Sequence, residues 1–212
     1  LKKTEQSLMK SEDKTLLAKY SATFEEYVSK GYMKKMKLEN TAAVLSNCWF
    51  LPHFPVIRED RATTKIRVVY DAAAKFQGRS LNEELYPGPS ICNNLIEVLL
   101  GFRRHAVALT GDVAEMFLQV KLTADDRKFH RVLWRDGESE REPDIYEAQR
   151  WLFGNAAAPF AAQFVMKENA KQHATRFPLA SEAIENAFYM DDALVSYDSE
   201  DEAKKARKQL TE

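Results

Sequence analysis

Two adjacent carboxylates, Asp191 and Asp192, lie within the run Phe188-Tyr189-Met190-Asp191-Asp192-Ala193-Leu194-Val195, between short apolar flanks. Those flanks are rich in residues that favour strands, and a tight turn between them puts both acids at the tip of a β-hairpin. A two-residue turn of the primed types needs positive φ and ordinarily carries Asn-Gly or Asp-Gly. Two acids without a glycine therefore suggest a tip selected for charge, against the plainer reading of a solvated acidic turn. A third acid, Asp112, closes the apolar run Ala106-Val107-Ala108-Leu109-Thr110-Gly111. If Asp112 and Asp191 sit on adjacent antiparallel strands, they approach within about 5 Å. Two ionised carboxylates roughly 4 Å apart repel by about 4 kcal/mol at an effective dielectric of about 20. Such a cluster takes up a proton or binds a cation. Hard oxygen donors with no histidine or thiolate beside them favour Mg²⁺, with Mn²⁺ as a substitute. Magnesium keeps few protein carboxylates and fills its shell with water and substrate phosphates. The chemistry such a site suits is nucleotidyl or phosphoryl transfer by two ions about 3.5–4 Å apart.

The elements that must position these acids are legible as periodic segments. Residues 12–30 place Leu16, Leu17, Tyr20, Phe24, Tyr27 and Val28 at helical spacing, with Ser11 as N-cap and Gly31 as the stop. The run from Asn47 to Ile57 holds two prolines and is extended. After a polar turn, Thr64 to Tyr70 returns as its partner strand, giving a hairpin with a cationic tip of Arg58, Arg61, Lys65 and Arg67. An irregular connection through Ser80-Leu81-Asn82 leads to a helix over Ile91 to Arg104 and then to the Asp112 strand. A strand pair follows at Phe129 to Arg135 and Ile145 to Phe153. Pro159 opens a long helix ending before Pro178, a short helix covers Ser181 to Asn186, and a last amphipathic helix follows the acidic hairpin. This order predicts an α+β sheet with helices on one face.

Composition narrows the class. The chain has 212 residues, 45% hydrophobic and 11% aromatic, enough to bury a sizeable core. Its net charge of −1 hides an asymmetry: residues 1–110 carry 17 Lys and Arg against 12 Asp and Glu, and residues 111–212 carry 14 against 20. A basic front and an acidic rear suit a protein that grips phosphates with one part and metal ions with the other. Cys48 and Cys92 have no CxxC spacing and read as reduced thiols, and His53, His105, His130 and His173 are scattered without zinc-site spacing. No apolar run approaches a membrane span. The sequence begins with Leu and ends inside a charged helical pattern, so it reads as a piece of a longer polyprotein.

Four blocks in this order carry a family resemblance. Asp112 with Met116-Phe117, Leu152-Phe153-Gly154 with Pro159-Phe160, and Tyr189-Met190-Asp191-Asp192 resemble motifs A, B and C of reverse transcriptases. The run from Lys65 to Asp71, with Lys75-Phe76 and Ser80-Leu81-Asn82, resembles the fingers segment that precedes them. The chain is most similar to BEL/Pao-type LTR retrotransposon polyproteins over roughly residues 15–198, and its two Asp sites stand about 80 residues apart as in that family. The resemblance implies the fingers and palm of a right-hand polymerase, with a ferredoxin-like antiparallel palm sheet packed on helices. It implies a helical lead-in over 1–46, fingers over 47–104, palm over 105–198, and the start of a truncated palm helix over 199–212.

Carried over by position, Asp112 and Asp191 would be ligands of two Mg²⁺ ions, with Asp192 as the adjacent acid. Lys65 and Arg67 would clamp the triphosphate of a dNTP, Arg67 with the better two-pronged geometry. Phe117 would pack under the sugar and exclude a ribose hydroxyl; its plain alternative is a buried core aromatic. Gly154 would let the backbone approach the nucleotide or template. Phe153 stands where retroviral enzymes carry Gln, a departure that several LTR retrotransposon groups share. The implied activity is RNA-directed DNA synthesis: transfer of dNMP from dNTP to a primer 3′-hydroxyl on an RNA or DNA template. The implied companions are a thumb, RNase H, integrase and protease elsewhere in the polyprotein, and the implied location is a cytoplasmic virus-like particle or the nucleus. The competing readings are an inert or domesticated remnant that keeps the fold and at most binds nucleic acid, and an RNA-templated RNA polymerase, against which Phe117 argues.

Overall fold

Alternation and capping explain most of the elements in the computed structural model, which describes residues 1–36, 45–57 and 66–212. Arg58, Arg61 and Lys65 lie outside the described residues. The chain divides into two compact units: residues 1–87 with 117–158, and residues 88–116 with 159–212. Of the segments implied by the resemblance, 47–104 and 105–198 each draw on both units, whereas 1–46 falls in the first and 199–212 in the second. Helices and antiparallel sheets alternate throughout, an α+β architecture.

In the first unit, helix α1 (Lys2–Met9) precedes α2 (Leu16–Ser29). The second helix starts later than its apolar spacing suggests. The Asp13 carboxylate accepts the Thr15 backbone N–H at 2.8 Å, and this local bond competes with helix continuation. Gly31, at φ +69°, ends it as expected. Strand β1 (Met33–Lys35) pairs with β6 (Asp144–Ala148), which pairs in turn with β5 (Arg131–Trp134). The strand pair after Asp112 therefore belongs to a different sheet from the acid-bearing strand, because its partner comes from the start of the chain. A second hairpin joins β2 (His53–Ile57) to β3 (Ile66–Tyr70), as its prolines and β-branched residues suggest. Helix α3 (Leu81–Glu84) occupies the stretch expected to be irregular. Its Ser80–Glu83 capping box is a readable signature that the apolar pattern obscured.

Large rings fill this unit. Tyr20, Phe24 and Trp134 are at most 1% exposed and meet edge to face or stacked, with His53 among them. The His53 Nε2 lies 2.9 Å from the Leu133 carbonyl, which can only accept, so Nε2 carries the proton. Its Nδ1 then accepts from the Tyr20 hydroxyl at 2.7 Å. Burial pushes the His53 pKa down to about 4.

In the second unit, α4 (Leu95–Phe102) leads into β4 (Val107–Asp112). The helix begins at Leu95 because the Asn94 side chain caps the Ile96 N–H at 2.9 Å. Helix α5 (Ala158–His173) and α6 (Pro178–Asn186, with proline in its first turn) precede β7 (Phe188–Tyr189), β8 (Asp192–Tyr197) and α7 (Glu200–Thr211). The sheet order is β4-β8-β7, all antiparallel, with β8 central. Its buried residues are mostly small, including Ala183, Ala193, Ala203 and Ala206 around Phe188 and Tyr197.

Candidate active site

The register of β4 on β8 brings the acids together. Asp112 ends β4 directly opposite Asp192, and the Val113 N–H donates to the Asp191 carbonyl at 2.9 Å. The hairpin tip is displaced by one residue from the sequence reading. Tyr189 pairs with Asp192, so Met190 and Asp191 form the turn and Asp192 opens the return strand. The positive φ that a two-residue turn demands falls on Met190, at +57°. An unbranched side chain thus takes the left-handed conformation usually left to glycine or asparagine. Two side chains hold this hairpin from outside, and a third orients one of them. Gln163 Nε2 lies 3.2 Å from the Met190 sulfur, Asn93 Nδ2 donates to the Phe188 carbonyl at 2.8 Å, and Lys167 Nζ donates to Asn93 Oδ1 at 2.9 Å. None of the three announces itself in the sequence: Asn93 falls inside the helix expected over Ile91 to Arg104, and Gln163 and Lys167 inside the long helix opened by Pro159.

Asp112 and Asp192 are exposed and Asp191 is half-buried. Among the described residues no three His, Cys, Asp or Glu side chains form a ready-made metal-binding group. What the register supplies is two exposed carboxylates on facing positions and a third, half-buried, on the adjoining residue, all hard oxygen donors. That donor set fits Mg²⁺, which takes one or two protein carboxylates and completes its octahedron from water and phosphate oxygens. It does not resemble a closed all-protein cage.

The residues expected to contact a nucleotide gather in the other unit. Phe117 is the second residue of a 3₁₀ turn (Met116–Gln119), and its ring meets that of Phe153 edge to face at 4.9 Å. Both rings are half-buried, and only Phe153 packs against the main core. Arg67 is exposed on β3, where alternation turns Val68 and Tyr70 inward. Gly154, at φ +100°, stands so close to β3 that a Cβ would overlap the Tyr70 carbonyl oxygen. The close approach that demands glycine here is made by the protein's own backbone. Asn82 fastens the same loop twice, donating to the Gly154 carbonyl at 3.1 Å and accepting from the Ala156 N–H at 2.8 Å. Below it, the buried Asn155 amide donates to His130 Nε2 at 2.8 Å. Desolvation lowers the His130 pKa and keeps that ring neutral, so Nε2 can accept.

Comparison with known proteins gives the arrangement a context. Residues 61–212 match the family described as reverse transcriptase (RNA-dependent DNA polymerase). No curated protein sequence matches the chain. Among solved structures, a foamy viral protease–reverse transcriptase in complex with double-stranded DNA is similar, with a TM-score of 0.63 and 15% identity. That match covers 90% of this chain and 28% of the viral one, and it shows a shared polymerase-like fold.

Proposed function

Because the chain belongs to the reverse transcriptase (RNA-dependent DNA polymerase) family, we propose that it is the fingers and palm portion of an RNA-directed DNA polymerase from a BEL/Pao-type retrotransposon polyprotein. It extends a primer 3′-hydroxyl with dNMP from dNTPs on an RNA or DNA template. The observation that carries this reading is the pairing of Asp112 with Asp192, with Asp191 fixed next to them through its carbonyl. Asp112 and Asp191 are the metal ligands, and Asp192 supplies charge and geometry beside them. Bound Mg²⁺ would supply Lewis-acid stabilisation of the attacking hydroxyl and the leaving pyrophosphate.

The chain's own residues bind and select. Arg67, with Lys65 in support, neutralises the triphosphate, using the planar fork that suits phosphate oxygens. Phe117 presents a ring where a 2′-hydroxyl would clash, and Phe153 buttresses that ring at 4.9 Å. Gly154 keeps the adjoining loop close to β3, holding Phe153 in place.

The test is primer extension on poly(rA)/oligo(dT) with dTTP or UTP, using this chain within its longer polyprotein segment. Incorporation of dTTP that is lost on Asp191→Asn supports the reading, and Phe117→Ala should admit UTP. Equal incorporation by the wild type and Asp191→Asn would replace it with the inert-remnant reading.

A further inference from the structure

Among the described residues β7 is an edge strand of two residues, paired only with β8. In an antiparallel ladder, successive residues point their hydrogen-bonding groups alternately toward and away from the partner strand. The Leu194 N–H reaches inward to the Ala187 carbonyl at 2.9 Å. The next carbonyl, that of Phe188, is met from outside by Asn93 Nδ2 at 2.8 Å. The amide can be oriented only one way: Lys167, 2.9 Å from Oδ1, has donors alone, and a backbone carbonyl accepts alone. Lys167 and Gln163 stand four residues apart on α5, on one face of the helix, so that face reaches the hairpin directly at Met190 and indirectly through Asn93.

We infer that Asn93, oriented by Lys167, is a positioning residue for the acidic hairpin. It takes the place of a further strand on the β7 edge and keeps Asp191 and Asp192 in register with Asp112. The hairpin needs such a hold because a left-handed Met190 persists only where its surroundings over-determine it. The inference rests on the reading of these acids as the metal site.

The test titrates Mn²⁺ alone into the chain, following free ion by electron paramagnetic resonance, and measures amide hydrogen exchange at Leu194. Asp191→Asn should abolish measurable binding. Asn93→Ala and Asn93→Asp should each weaken Mn²⁺ about three- to fivefold, the scale of one lost hydrogen bond, and speed exchange at Leu194. Asn93→Asp is the sharper variant. It keeps the size and strengthens the partner of Lys167, but sets an acceptor against the Phe188 carbonyl, so a role in packing alone would leave it like wild type. Lys167→Met, on the outer side of the contact, should weaken binding about twofold and covers the case in which an Asn93 variant fails to fold. Wild-type Mn²⁺ affinity and exchange in both Asn93 variants, with Asp191→Asn inactive in binding, overturn the inference and leave the metal reading standing. Undiminished binding by Asp191→Asn overturns the metal reading and the inference together.

Discussion

The two units of this chain are built from different materials. The first is filled by wide rings, Tyr20, Phe24, Trp134 and Tyr70, each at most 1% exposed. The second keeps its helices against the sheet with alanines, from Ala183 and Ala193 to Ala203 and Ala206. Large aromatic groups bury about 150–250 Å² apiece and dominate the energetics of a core. Small residues contribute little area but let backbones approach closely. The difference suggests a division of labour, in which the ring-filled unit supplies most of the stability and the alanine-lined unit supplies a finely set backbone under three acids.

Four substitutions or conditions would break or sharpen that contrast. Trp134→Ala empties the centre of the ring cluster and should cost about 3–5 kcal/mol in urea unfolding; a loss under about 1 kcal/mol would remove the first unit's claim to the stability. Asp191→Asn should do the reverse, lowering incorporation by about 10²–10³-fold in the primer-extension assay while shifting stability by no more than about 0.5 kcal/mol. A large loss of stability in that variant would mean that the acid is structural.

The third concerns pH. His53 is buried neutral with a pKa of about 4, against 6.5 for the free side chain. Between those values the unfolded chain binds the extra proton, so stability is full above about pH 6.5 and falls as pH drops toward 4. The expected loss is about 2–3 kcal/mol between pH 7 and pH 4.5. A His53→Gln variant should flatten that part of the profile; an unchanged slope would place the acid sensitivity elsewhere. The smallest effect is expected at Ala206, which is 0% exposed. Ala206→Leu forces extra atoms between α7 and its neighbours and should cost about 1–3 kcal/mol. A neutral result there would show slack in the second unit where tight packing is argued.

Much of the site was legible because its signals are local. An apolar run closing on Asp112 and a paired acid between apolar flanks are patterns of a few residues, and both became strands of one sheet. The turn itself was misplaced by one residue because the rule that positive φ falls on glycine fails at Met190, whose side chain meets Gln163 while Asn93 holds Phe188 two residues before it. The partner of β6 could not be read locally, since β1 lies more than a hundred residues away in the chain. Asn93, Lys167 and the loop-fastening role of Asn82 carry no sequence signal for a related reason. Each acts through one hydrogen bond or two to a distant backbone group or side chain, and no spacing rule marks such a residue. Lys65, expected beside Arg67, lies outside the described residues.

The absent side chain of Gly154 has a reach of its own. Because Tyr70 occupies the space a methyl group would need, an alanine at 154 must move either its own loop or β3. Arg67 rides on that strand three residues earlier, opposite Val56. A substitution that never meets a phosphate could thus misdirect the guanidinium proposed to hold one. A fall in nucleotide affinity at 154 would then report a shifted lever arm, felt through the strand by a group the methyl never touches.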